Sequence, residues 1–205
     1  MTADWEVRWT RTALALGIDA DVTERDAVLA RYAEPHRRYH TLRHLDECFE
    51  RLERVRTKAE HPGELDLALW YHDTVYDPRA SDNEARSADL AVRFMERAGL
   101  PEIARDRVHA LIMATRHDAL PPPGDAALLV DVDLGILAAE PARFDEYEAE
   151  IRAEYGWVPA PIFRSKRREV LRGFVARTCI YASGAFDDDE LRSRENLARS
   201  IERLA

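Results

Sequence analysis

At 205 residues the chain is long enough to bury a substantial core as one domain, and 46% hydrophobic with 34% charged residues excludes intrinsic disorder. A net charge of -9 excludes a general binder of nucleic-acid polymer, whose non-specific affinity rests on surplus Lys and Arg. It leaves a small anionic ligand open, because a site responds to its local charges and to any bound metal.

Apolar residues recur at three- and four-residue spacing almost throughout, which predicts an all-α, single-domain helical bundle over 1–205. The first two helices are expected at 4–16, stopped by Gly17, and at 21–32. A third, 41–57, has His40 and His44 at its start, four apart and on one face if the helix has begun by His40. The fourth, 62–72, opens on Pro62 and ends an apolar run with His72-Asp73, just before a polar loop containing Asp77-Pro78. Adjacent helical residues point about 100° apart, so these two side chains reach one ion only where the backbone leaves the helical path.

The fifth helix, 81–98, begins with Ser81 and Glu84 spaced as a capping box and is stopped by Gly99. The sixth, 101–116, carries His109 and delivers His117 at its end. In the seventh, 125–139, Asp131 and Asp133 interrupt an otherwise apolar run, where a charge is costly unless paired or bound to metal. Helices at 141–155, 161–181 and 188–204 complete the chain, the ninth carrying a basic cluster from Phe163 to Phe174. Loops are expected at 73–80, 118–124 and 155–160. The acidic N-terminal stretch lacks the apolar run of a signal peptide, and no segment of about 18 apolar residues occurs, so a cytoplasmic protein with no membrane partner is expected. Cys48 and Cys179 fit no redox or zinc spacing and read as reduced packing residues.

Seven histidines make roughly one His-Asp dipeptide expected by chance, and the chain has two, His72-Asp73 and His117-Asp118. Context separates them. The order His44, His72-Asp73, then a late aspartate in an apolar helix resembles the H…HD…D signature of the HD superfamily. The segments Tyr39–Leu45, Trp70–Asp77, Asn83–Ser87 and Asp131–Leu137 look like a bacterial branch described as predicted metal-dependent HD phosphohydrolases. The resemblance spans about residues 34–180, which it implies are the metal-binding core, with a C-terminal helix packed on it. It further implies an HD-type fold, a divalent metal and hydrolysis of a phosphate ester, often on a nucleotide.

Within that scheme His44, His72 and Asp73 are metal ligands and one of Asp131 and Asp133 completes the set. Residues two apart on a helix diverge by about 200°, so both acids on one ion is not expected, and the choice between them stays open. This mixed nitrogen and oxygen set suits Mn, Fe, Co, Ni or Zn, with Mg also admissible. Asp73 and Glu84 are the candidate catalytic carboxylates, Glu84 having the capping box as its alternative. His40, His109, His117, Arg43 and Asn83 are candidates for a second metal or for substrate. Against this, His40 reads equally as packed beside Tyr39, His109 as an interior histidine beside Val108 and Leu111, and Arg43, like Arg37 and Arg38, as a solvated cation. The expected partner is a small phosphorylated substrate, and a homodimer would suit a bundle that pairs through an apolar face. Two other functions fit the same residues: a di-iron, oxygen-activating enzyme completed by His109 and His117, and a nucleotide-binding module without turnover.

Overall fold

The computed structural model describes residues 4–205, and among these the regular structure is entirely helical. Ten α-helices run α1 Trp5–Leu16, α2 Val22–Tyr32, α3 Leu42–Val55, α4 Pro62–Tyr71, α5 Asn83–Arg97, α6 Glu102–Ala114, α7 Asp125–Asp133, α8 Pro141–Glu154, α9 Ala160–Val175 and α10 Glu190–Arg203. Local chemistry sets several starts. Asp4 accepts a hydrogen bond from the Val7 amide, and Asp21 accepts from those of Thr23 and Glu24, so each caps its helix.

Two helices are buried on every side over most of their length and form the interior. In α4 every residue from Gly63 to Tyr71 is buried, and in α7 every residue from Ala127 to Val132. Around α4 pack α1, α3, α5, α6 and α7. Trp70 of α4 meets Trp9 edge-on at 5.2 Å between ring centroids and Phe49 at 5.0 Å, while its indole N–H donates to Thr12. The approach of α1 to α4 is close enough that a Cβ on Gly63 would lie 3.0 Å from the backbone of Ala15. The two acids of α4 are neutralised rather than free. Arg56 grips Asp66 through two hydrogen bonds of 2.8 and 2.6 Å, and Arg107 grips Glu64 through two of 2.7 and 2.6 Å.

Three expected elements differ from what forms. The helix expected over 125–139 tightens at Leu134 into a 3₁₀ turn, Leu134–Ala138, which changes the direction of the side chains around Asp133. The helix expected over 161–181 stops at Val175, and the following segment folds back until the amides of Ala182 and Ser183 reach the Asp131 carboxylate at 2.9 and 2.8 Å. The capping box at Ser81 and Glu84 does not form. Asp82 occupies the cap position of α5 and makes no side-chain cap bond. Beyond α9, helix α10 lies against the 3₁₀ turn, where Asn196 donates to the carbonyls of Leu137 and Ala139 at 2.9 Å each. No helix of the described residues is long and apolar enough to cross a membrane.

Candidate metal centre

Three helices deliver the central side chains. His44 lies in the first turn of α3, His72 caps the end of α4 with Asp73 immediately after it, and Asp133 ends α7. His72 keeps helical backbone angles as the C-cap of α4, φ -52° and ψ -37°, and the side chain of Asp73 just beyond it converges on the same point. The Oδ2 of Asp73 lies 3.1 Å from His72 Nε2 and 3.4 Å from His44 Nε2. The two histidine Nε2 atoms are 3.2 Å apart, and Asp133 Oδ1 stands 3.2 Å from that of His44 and 3.6 Å from that of His72. Both histidines are buried. His44, His72 and Asp133 each offer an atom within 4.8 Å of the other two, and Asp73 reaches both histidines.

The donor atoms fit a divalent ion in tautomer and in spacing. His72 Nδ1 lies 2.8 Å from the Leu69 carbonyl, which fixes the proton there and leaves Nε2 with its lone pair aimed into the cluster. The two ring nitrogens stand 3.2 Å apart among carboxylates, close enough for one cation, or one shared proton, to bridge them. The spacing is also that of ligands on one ion, since atoms bound at about 2.1 Å stand roughly 3.0 to 3.4 Å apart in octahedral or tetrahedral sets.

Electrostatics favour opposite charges side by side within the cluster. Burial disfavours charge on His72, but the Asp73 carboxylate, Tyr32 and Asp133 outweigh it and hold its pKa well above the ordinary value. On His44 burial is likewise outweighed, by Cys48, Tyr39, Asp133 and Asp73. Asp73 and Asp133, despite their own burial, are held well below the ordinary carboxylate range, chiefly by His72 for Asp73 and by His117, His44 and His72 for Asp133. The cluster is built to keep negative oxygen against positive charge.

Of the two aspartates in α7, Asp133 faces this cluster and Asp131 does not. Asp131 is fully buried, spent on the amides of Ala182 and Ser183, and pins the segment after α9. The remaining oxygen of Asp133, Oδ2, lies 2.9 Å from His117 Nε2. His117 is the one non-glycine among the described residues with a left-handed backbone, φ 59°, a conformation that turns the ring back toward α7.

Asp73, Asp133 and His117 line a large open cavity of about 1030 Å³, together with His40, Asn83 and Glu84. His44 and Asp133 also border a smaller one of about 200 Å³ beside Cys48, so Asp133 touches both. Glu84 is half-buried there and makes no side-chain hydrogen bond among the described residues, leaving its carboxylate available. Asn83 instead clamps the backbone of Asp77, accepting from its amide at 3.1 Å and donating to its carbonyl at 2.9 Å. His109 is half-buried in α6 and lines neither cavity. Arg43 is paired with Glu146 at 2.8 Å, exposed and away from both cavities, and Arg37 is fully buried with its guanidinium on the carbonyls of His40, Asp73 and Thr74.

The sequence reading missed two residues. Glu154, at the end of α8, is buried and takes the amides of Arg38, Tyr39 and His40 on one oxygen at 2.8, 2.8 and 3.1 Å. Its other oxygen holds His40 Nδ1 at 2.8 Å and the Tyr76 hydroxyl at 2.7 Å, and Tyr76 stacks on the His40 ring at 4.0 Å. These partners, with His40 foremost, overcome burial and lower its pKa to about 2. In sequence it is one more acid in an ordinary amphipathic helix, and no local signal marks it. Arg177 is the second. It lines the large cavity with no carboxylate partner among the described residues, and its position after α9 became visible only once that helix was seen to end at Val175.

Compared with protein-family models, curated proteins and solved structures, the chain matches none.

Proposed function

We propose that this chain is a metal-dependent phosphohydrolase of the HD type, acting on a phosphate ester of a nucleotide or another small phosphorylated metabolite. The observation that carries the reading is the convergence of His44, His72, Asp73 and Asp133 beside an open cavity large enough for such a substrate. In this reading those four residues hold a divalent transition ion, whose bound form lowers the pKa of water and offsets charge on the phosphoryl group. Water attacks phosphorus, the ester P–O bond breaks, and phosphate and an alcohol leave. Glu84, carrying no hydrogen bond, receives the proton that water sheds and returns it to the departing oxygen, which leaves as the alcohol, and His117 keeps Asp133 oriented through its 2.9 Å contact. The oxygen-activating alternative calls for His109 together with His117, and only His117 reaches the cavity.

The test is phosphate release from a panel of nucleotides and sugar phosphates by metal-stripped protein resupplied separately with Mn, Co, Ni, Zn, Mg and Fe(II). Release restored by one metal and absent from His72→Ala/Asp73→Ala upholds the reading. No release with any metal, while two irons bind per chain and oxygen is consumed, overturns it.

A further inference from the structure

We propose that Arg177 is the oxyanion anchor of the large cavity, the group that seizes the phosphate of the ligand. This rests on the phosphohydrolase reading for the identity of the anion, though not for the existence of the anchor. Arginines near this cavity are otherwise occupied by acids. Arg167 holds Glu148 and the Tyr147 hydroxyl, and Arg116 lies 3.4 Å from Asp118. Arg177 has no such partner among the described residues. Its Nη2 donates to the carbonyl of His117 at 2.6 Å, its guanidinium lies over the Phe174 ring at 4.5 Å, and its Nη1 is buried with no hydrogen bond at all.

Arg177 therefore brings to the wall of the cavity a positive charge that no carboxylate among the described residues matches, and the ligand that would match it is an anion. The carbonyl that holds Arg177 belongs to His117, whose ring holds Asp133, so one left-handed residue couples the guanidinium to the metal-ligand cluster. Packing on Phe174 and the bond to His117 fix the plane of the fork in advance, and a fixed guanidinium suits the tetrahedral oxygens of a phosphomonoester.

The experiment measures inorganic phosphate binding by calorimetry on the full chain, with and without manganese, for wild type, Arg177→Met and Arg177→Lys, together with manganese uptake and the melting temperature. Wild type is expected to bind phosphate and to be raised in Tm by phosphate but not by chloride at equal ionic strength. Arg177→Met is expected to weaken phosphate at least tenfold with manganese uptake unchanged, and Arg177→Lys to recover part of the loss. Unchanged phosphate affinity in Arg177→Met, in both metal states, overturns the proposal, as does a wild type indifferent to phosphate. Should Arg177→Met not fold, the Lys variant and the wild-type Tm decide, a Lys variant equal to wild type counting against a fixed fork. Phosphate binding that depends on Arg177 in a protein that releases no phosphate from any ester retains the anchor and sinks the hydrolase.

Discussion

Asp131 and Asp133 occupy the same apolar helix two residues apart, yet one closes a loop and the other faces two histidines. Their substitutions therefore have opposite signatures. Asp133→Asn is expected to abolish stoichiometric metal uptake, measured by elemental analysis after dialysis, because it removes a charged oxygen from between the histidines and the His117 ring. Asp131→Asn is expected to retain the metal but to lower stability by about 1–3 kcal/mol in urea unfolding, since the new NH2 cannot accept and leaves one of the amides of Ala182 and Ser183 unpaired. A variant of Asp131 that lost metal while keeping its stability would contradict this division. The sequence legibly marked both acids as unusual, because buried charge needs a reason. It gave no means of choosing, because the choice is made by the segment around Ser183, more than fifty residues away in the chain. His44, His72 and Asp73 were legible for the converse reason: their helix-end positions are local. Glu84 stood between a catalytic role and a capping box because its spacing from Ser81 suits the box, but the helix begins after Asp82, no such cap forms, and Glu84 lines the cavity.

Among the elements, α8 is the one whose contribution was least visible beforehand, because its role runs through a single buried carboxylate. Glu154 ties the end of α8 to the three amides that precede α3 and to Tyr76 in the loop after α4. It thereby sets the approach of the segment that carries His40. Its pKa falls from an ordinary 4.5 to about 2, so its contribution is complete above the unfolded value near 4.5 and is lost as pH falls toward 2. The shift corresponds to stabilisation on the order of 3 kcal/mol at neutral pH. Glu154→Gln is accordingly expected to be destabilised by a few kcal/mol at pH 7. The gap to wild type should narrow steadily between pH 4.5 and pH 2, read from urea midpoints at each pH. A gap that stayed constant across that window would mean that the carboxylate charge is not what binds α8 to the segment before α3.

At the scale of the molecule, helical periodicity and the two apolar runs of α4 and α7 made the order and number of the α-helices legible. What it did not display was where α7 and α9 stop. Both end in segments whose backbone is satisfied by distant partners, Tyr181 to the Leu134 carbonyl and Asn196 to those of Leu137 and Ala139 among them. The candidate centre joins the three helices α3, α4 and α7 at one point, so a metal bound there would act as a staple across the bundle. Free metal at about a hundred times its Kd would add roughly 2.7 kcal/mol, a rise in Tm of about 5 to 11 °C for a chain of this size. The rise should depend on pH. In the metal-free protein His44 and His72 have pKa values above the ordinary range, so their ion pairs with Asp73 and Asp133 stabilise fully below the unfolded histidine pKa and fade as pH climbs through the folded one. Metal must displace those protons, so its affinity, and with it the Tm increment, is expected to grow from pH 6 to pH 9. Differential scanning calorimetry with zinc-buffered and chelated samples at each pH reads the increment directly, and Asp133→Asn serves as the control that should show none. An increment independent of pH, or one retained without Asp133, would place the bound metal somewhere other than between His44 and His72.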